Sequence, residues 1–169
     1  TTGTVPDAIP ETEPSAGYFE GRTHVLQVRV YYEDTDAAGM VYYANYLRYM
    51  ERGRSDMLRL AGVTHGSLDA DDDDPLARTL FVVRRCEVEY LRQARLNDGL
   101  MVRTTLANVG GASMTMEQVV CRDGVNLVDA TVRVGCVTGD GRPKRIPGRT
   151  REALQSITKD NEENLRNAS

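Results

Sequence analysis

Apolar and polar side chains alternate along five stretches of the chain. Along a sixth stretch the apolar side chains recur at the longer spacing of a helix. The alternation runs through residues 23–33, 79–91, 100–107, 112–122 and 125–138, which predicts half-buried strands. From about residue 44 to residue 61, apolar side chains instead recur every three or four positions, which predicts one long helix. We expect Asn45 to cap this helix and Gly62 to end it.

The order of these elements indicates the fold class. Asp123-Gly124 is typical of a two-residue hairpin and residues 108–111 of a second turn, so neighbouring strands should pair antiparallel. The long helix is the only large element that can cover a face of the sheet. We therefore predict an α+β hot-dog fold, in which an antiparallel sheet of about five strands wraps around one central helix. Such a sheet leaves an edge unpaired, which favours association of two copies.

The ends of the chain differ from its middle in composition. Three prolines, few apolar residues and no periodicity predict a disordered acidic tail over residues 1–22. This tail also lacks the basic region of a targeting segment. Residues 23–147 are predicted to form the domain, and residues 148–169 a short C-terminal helix with a polar end.

The net charge of −4 is unevenly distributed over the 169 residues. Residues 1–21 carry −4 and the aspartates between 69 and 74 carry −5, which leaves +5 on the remainder. An acidic chain lacks the bulk basic character of a nucleic-acid-binding domain, and no apolar run is long enough to span a membrane. We expect a cytoplasmic protein with neither a nucleic-acid partner nor a transmembrane segment. The Asp-rich run departs from the calcium-loop pattern and is expected to be a solvated loop.

Cysteine and histidine are too few and too scattered for several chemistries. The three cysteines have no C-x-x-C spacing and are expected to be reduced thiols in the core. The two histidines lie far apart, and no motif of a zinc hydrolase, a serine nucleophile or a phosphate-binding loop occurs. We therefore expect no metal and no cofactor, and any catalysis should use carboxylates, hydroxyls and backbone amides.

One segment concentrates such groups. In YYEDTDAAGMVYYANY, Asp36 precedes the predicted helix and is followed by the small residues Ala37, Ala38 and Gly39, past which a substrate can approach the backbone. Burial among the surrounding apolar side chains would make the carboxylate a stronger base. The free amides of the first helical turn could polarise a carbonyl oxygen. From these residues alone, Asp36 is either a general base or a turn-capping residue.

The same region carries a family resemblance. RVYYEDTDAAGMVYYANYLRYMERGRSDMLRLAG and FVVRRCEVEYLRQARLNDGLMVRT resemble the 4-hydroxybenzoyl-CoA thioesterase superfamily, and within it the Tol–Pal-associated acyl-CoA thioesterase branch. The specific element is D-x-D-x-x-G-x-V-x-x-x-x-Y, and the resemblance extends over about residues 23–147. It implies hydrolysis of an acyl-CoA thioester, in which coenzyme A is part of the substrate. It also implies active sites at a homodimer interface, dimers that pair into homotetramers, and a role in a cell-envelope complex.

The resemblance also assigns roles to residues. It places the catalytic carboxylate on Asp36, and on Tyr43 the helix-start amide that binds the thioester carbonyl. The branch commonly carries His at the position of Tyr43, but a backbone donor does not depend on the side chain. Glu33 and Asp34 are expected to be structural and to bind loop amides.

Further residues have supporting or binding roles under the same resemblance. Gly39 should support the loop, Ser113 should position water, and Glu51 is an alternative helical carboxylate. The alternatives from the residues themselves are an ordinary strand hydroxyl at Ser113 and an ion-paired surface residue at Glu51. The predicted ligands of the CoA phosphates, each of which could equally be an exposed surface charge, are Arg84, Arg85, Arg142, Lys144 and Arg145.

A second hypothesis is a non-catalytic module that binds acyl-CoA or an acyl carrier protein, or that acts as a scaffold of a cell-envelope complex. It predicts binding without release of a thiol, whereas the thioesterase predicts both. Acyl-group preference, the choice between CoA and a carrier protein, and the choice between covalent and general-base chemistry stay open at this point.

Overall fold

The structure is a computed structural model that describes residues 12–63 and 78–158. Residues 1–11 of the predicted tail, the Asp-rich run and the polar C-terminal end from residue 159 lie outside the described residues. The strands are β1 Tyr18–Glu20, β2 Thr23–Arg29, β3 Leu80–Tyr90, β4 Gly99–Val109, β5 Ser113–Arg122 and β6 Val125–Val137. The helices are α1 Ala44–Leu60 and α2 Gly148–Gln155, and a 3-10 turn covers Tyr32–Asp34.

The strands form one antiparallel sheet in the order β1-β2-β4-β5-β6-β3. Helix α1 packs on the face made by β2, β4 and β5, as expected for an α+β fold with a central helix. Within the described residues the sheet has six strands rather than about five, because β1 lies inside the predicted tail and pairs with the start of β2. Gly21, at φ +59°, makes the tight turn between them.

The first predicted strand ends earlier than its alternation suggests. β2 stops at Arg29, and Val30 instead exchanges backbone hydrogen bonds with residues 97 and 98 (Val30 N to Asp98 O, 2.9 Å; Asn97 N to Val30 O, 3.0 Å). The chain then turns through the 3-10 segment, where the Asp34 carboxylate accepts the Tyr31 N–H at 2.8 Å. A side-chain hydrogen bond of this kind competes with continuation of the strand.

The buried face of α1 matches most of the predicted apolar stripe. Tyr46, Met50, Gly53 and Met57 are buried against the sheet, whereas Leu60 at the end of the stripe is 45% exposed. A β-carbon at Gly53 would lie 2.7 Å from Val102 Cγ1 on β4. The glycine therefore permits the close approach of helix and sheet. The helix ends, as predicted, where Gly62 adopts φ +84°.

Strand β3 forms one edge of the sheet and leaves a groove beside α1. In the described part of the chain β3 pairs with β6 alone, and its residues are exposed or half-buried along its length. The ring of Tyr43, before α1, and the ring of Tyr90, at the end of β3, meet with centroids 6.0 Å apart. At the opposite ends of the two elements, Leu58 of α1 and Phe81 of β3 line a cavity in the groove. Helix and strand therefore run side by side in opposite directions.

Candidate active site

The segment from Asp34 to Tyr42 folds back on itself as a small hairpin. Asp36 N donates to Met40 O at 2.8 Å, and Tyr42 N donates to Asp34 O at 3.0 Å. Gly39 makes the reversal at φ +75°, a conformation that favours glycine. The expected supporting role of Gly39 is thus a backbone role, because it fixes the position of Asp36.

The Asp36 carboxylate is held at the tip of this hairpin. Its Oδ1 accepts the Ala38 N–H at 2.9 Å and the Met40 N–H at 3.3 Å. Within the described ranges its Oδ2 has no hydrogen-bond partner, and the residue is exposed. The expected burial among apolar side chains is therefore wrong for the single chain. The carboxylate is oriented by two amides and keeps one oxygen free to act on a ligand.

Asp34 fixes the hairpin to the helix, as its predicted structural role requires. It is 8% exposed, and its carbonyl also accepts the Asn45 side-chain amide at 2.8 Å. The prediction that Asn45 caps the helix is wrong, because Tyr43 precedes the first helical residue and no side chain caps it. Asn45 instead ties the helix start to the loop. Glu33 is exposed on the same turn.

Two further signature residues anchor the hairpin to the segment after β3. Val41 N donates to Ala94 O at 3.0 Å, and the Tyr46 hydroxyl accepts the Ala94 N–H at 2.9 Å. Burial raises the pKa of the Tyr46 phenol, so it stays protonated. The loop that carries Asp36 is therefore held from both sides by buried contacts.

The start of α1 presents unpaired donors. Within residues 12–63 and 78–158, neither the Tyr43 N–H nor the Ala44 N–H has a hydrogen-bond acceptor. Both amides lie at the positive end of the helix dipole, where a developing negative charge is stabilised. The role expected for the Tyr43 amide requires such a free donor and stays a prediction.

Aromatic rings surround this helix start. The Tyr43 ring, which is 59% exposed, contacts Tyr42 and Tyr90, and Tyr90 in turn contacts Tyr46. Sequence reasoning did not single out Tyr90, because it lies more than forty positions from the loop. Its contact with Tyr43 follows from the packing of α1 beside β3, which no sequence signal contains.

Two of the predicted CoA-binding residues, Arg84 and Arg85, lie in the middle of β3, and the loop that carries the other three lies beside the start of this strand. Arg84, Arg85 and Ser113 line a cavity of about 520 Å³ together with Arg133 and Pro143. Sequence reasoning missed Arg133, which lies opposite Arg85 in the β3–β6 ladder. In a single chain this basic cluster does not adjoin the Asp36 hairpin, so Ser113 is not brought near Asp36.

The remaining basic residues lie on the loop beside that cavity. Arg142 and Lys144 flank Pro143, and the loop is fixed by hydrogen bonds from Lys144 N to Cys136 O (2.9 Å) and from Ile146 N to Gly111 O (3.0 Å). Arg142 forms an ion pair with Asp140 at 3.3 Å. Arg145 is exposed and extends towards Gly111.

Glu51 lies two helical turns beyond Tyr43, on the groove side of α1. It is exposed, and its Oε1 accepts the Ser55 hydroxyl at 2.7 Å. It lines a cavity of about 570 Å³ between α1 and the inner face of the sheet. This places Glu51 in the groove rather than at the Asp36 hairpin.

Other site predictions concern metals, thiols and membranes. Among the described residues no group of three or more His, Cys, Asp or Glu side chains could hold a metal ion. Cys121 and Cys136 are buried as expected, but Cys86 is exposed on the edge strand. None of the described helices is long and apolar enough to cross a membrane.

The fold and the loop geometry together define a class, the hot-dog thioesterases, and comparisons with known proteins confirm it. Residues 30–154 match the model of the Thioesterase-like superfamily, and the chain belongs to that family. It is 40% identical over 131 residues to the acyl-CoA thioesterase YbgC of Haemophilus influenzae, which covers 77% of this chain and 93% of the relative.

Solved structures support the same assignment. A probable thioesterase from Bartonella henselae is 36% identical, with a TM-score of 0.68 over 74% of this chain and 99% of that chain. A 4-hydroxybenzoyl-CoA thioesterase variant in complex with 4-hydroxybenzoyl-CoA shares the fold at 18% identity, with a TM-score of 0.69 over 79% of this chain and 99% of that chain. The predictions of a hot-dog fold, of this superfamily and of a thioesterase are confirmed.

Proposed function

We propose that the protein hydrolyses the thioester of a small or medium acyl-CoA, with Asp36 as the catalytic carboxylate. One observation carries this proposal: the hairpin presents an oriented carboxylate beside a helix start with two free amides. The relatives that match most of the chain include an acyl-CoA thioesterase.

The chemistry follows from these two groups. The thioester carbonyl binds at the Tyr43 N–H, which stabilises the oxyanion by about 3 kcal/mol if it acts like other single oxyanion donors. Asp36 either takes a proton from an attacking water or attacks the carbonyl carbon itself to form an anhydride that water then cleaves. In both routes the C–S bond breaks, and the CoA thiolate leaves and takes up a proton. General-base assistance contributes about 10²–10⁴ in rate.

Substitution of Asp36 tests the proposal directly. Asp36→Asn keeps the size of the side chain and an oxygen for the Ala38 and Met40 amides, and we expect kcat/KM to fall by at least about 10². The matched control is Glu33→Gln, which removes an exposed carboxylate from the same loop and should leave kcat/KM unchanged. Full activity in Asp36→Asn, measured by thiol release from a panel of acyl-CoAs, would refute the assignment.

A second measurement distinguishes the hydrolase from a non-catalytic binding module. A binding module would show heat of acyl-CoA binding by calorimetry with no thiol release from any substrate in the panel. Glu51→Gln serves as a further comparison. If Glu51→Gln loses activity and Asp36→Asn does not, the catalytic carboxylate is Glu51 on α1.

The functional unit proposed here is a homodimer, alone or paired into a homotetramer. Support comes from the unpaired edge of β3 and from the exposed apolar residues on and around it, which include Val83, Tyr90 and Leu91. Antiparallel pairing of β3 with its copy would place the start of the partner's β3, and the basic loop of residues 142–145 beside it, near the Tyr90 end of this chain. This arrangement would bring CoA-binding arginines to the Asp36 hairpin, which the single chain does not do.

A further inference from the structure

The groove between α1 and β3 contains an arginine that is held in place but forms no ion pair with any described residue. Arg54 Nη1 donates to Gln118 Oε1 at 2.9 Å. Of the residues that the structure describes, no carboxylate lies within ion-pair distance of Arg54, whereas Arg59 on the same helix pairs with Asp56. The charge of Glu51 raises the pKa of Arg54, but Glu51 Oε1 accepts the Ser55 hydroxyl.

Gln118 is itself fixed by the core. It is 1% exposed, and its Nε2 donates both to Met50 O and to Thr104 Oγ1 at 2.9 Å. These two bonds orient the amide so that its oxygen points at Arg54. A fully buried amide that holds one guanidinium nitrogen leaves the other N–H groups of Arg54 available to a ligand.

The surroundings of Arg54 make an unpaired charge costly. Burial lowers the pKa of its guanidinium, against the opposing effect of Glu51. The sheet side of the cavity is apolar, with Phe81, Val83 and Met116 among its lining residues. An arginine beside an apolar surface is stabilised by an anion that accepts hydrogen bonds from the planar guanidinium.

The position of Arg54 along the groove suggests what that anion is. Its Cα lies eleven residues after Tyr43, or about 16 Å along the helix, and helical side chains lean back towards the N-terminus. An acyl group whose carbonyl binds at the Tyr43 amide and whose chain follows the groove would bring its far end towards Arg54. Leu47, one helical turn after Tyr43, is 41% exposed, and the Tyr90 ring contacts the Tyr43 ring.

We infer that Arg54, positioned by Gln118, binds a carboxylate at the far end of the acyl chain, so that the preferred substrates are acyl-CoAs derived from dicarboxylic acids. The inference rests on the proposed thioesterase function and names its substrate class. Arg54 is a specificity residue in this proposal, and Gln118 is a positioning residue.

Matched thioesters test the inference. Octanoyl-CoA and suberyl-CoA, and a second pair with longer chains, differ only in a terminal methyl or carboxylate. We expect the wild type to favour the carboxylate member of at least one pair by about tenfold or more in kcat/KM, the effect of a charge-assisted hydrogen bond. Arg54→Gln should bring the two members to within about twofold, and Arg54→Lys should retain part of the preference. The control Arg48→Gln removes an exposed arginine of the same helix and should change nothing.

Binding separates failure of this inference from failure of the proposed function. In the Asp36→Asn background, Kd for both members of each pair is measured by calorimetry, which needs no turnover. Equal Kd values and equal kcat/KM in every pair would overturn the inference while leaving the thioesterase intact. A carboxylate preference in Kd without hydrolysis by the wild type would support the inference and refute the function. Gln118→Leu should weaken the preference for the carboxylate substrate as Arg54→Gln does. A preference that survives in both variants would also overturn the inference.

Discussion

Four residues of the signature D-x-D-x-x-G-x-V-x-x-x-x-Y hold the loop together, and the fifth faces solvent. Asp34, Val41 and Tyr46 are buried, and Gly39 makes the reversal. Only Asp36 is exposed and keeps a free oxygen. The spacing of the signature is therefore a requirement of the hairpin, and its purpose is to orient one carboxylate.

The conformation of Gly39 predicts a measurable cost. Gly39→Ala meets no atom within 4 Å, so its effect is that of the positive φ alone. We expect the free energy of unfolding to fall by about 1–2 kcal/mol, as measured by urea denaturation. Gly99→Ala is the matched control, since it also has open space but no positive φ. Equal losses in the two variants would contradict the argument.

At the scale of elements, Gly53 sets the distance between α1 and the sheet. Alanine would improve helix propensity by about 1 kcal/mol, but its β-carbon would approach Val102 Cγ1 at 2.7 Å and Thr104 Oγ1 at 3.1 Å. We expect Gly53→Ala to destabilise the protein by about 1–3 kcal/mol overall. In a Val102→Ala background the same change should cost less, and a double-mutant cycle of unfolding free energies measures the difference.

The loop after β3 supports the hairpin through Asp98, and this support depends on pH. Burial alone would raise the pKa of Asp98, but the Arg95 N–H and the Arg122 guanidinium lower it below its usual range. The stability it contributes is present above the unfolded pKa of about 3.9 and is lost as the pH falls through the folded value. Asp98→Asn should therefore lose about 1 kcal/mol at pH 7 and progressively less below pH 4, as followed by denaturation across pH. A constant difference would contradict this.

The sequence predicted the position of every described helix and strand except β1, although β2 is shorter than its alternation indicated. Helix α1 and strands β3 to β6 have enough residues to display a period, whereas the three residues of β1 cannot alternate visibly. Asp36 and the Tyr43 amide were found because they are neighbours in sequence. Tyr90, Arg133 and the Arg54–Gln118 pair reach their partners only through strand register and helix packing, which a linear pattern does not contain.

At the scale of the whole molecule, the three cysteines report on assembly. Burial raises the pKa of the Cys121 and Cys136 thiols and disfavours the reactive thiolate, whereas Cys86 is exposed on β3. We expect one thiol per chain to react rapidly with a disulfide reagent in dilute protein, and all three after unfolding. If β3 pairs with its copy, reaction of Cys86 should slow as the protein concentration rises. Cys86→Ser is the control and should abolish the rapid phase. A rate that stays constant while light scattering shows the mass rising from one to two times the 18.7 kDa chain mass would contradict pairing through β3.

The two edges of the sheet are unequal, since β1 has three residues and β3 has eleven. A long edge can serve as a template for another strand, but a three-residue edge offers almost none. In the proposed dimer, the two copies of β3 pair with each other, so that the continuous sheet has β1 at both of its edges. The association is therefore self-limiting: strand addition closes at two copies, and the same hydrogen-bonding groups cannot propagate into an open fibre.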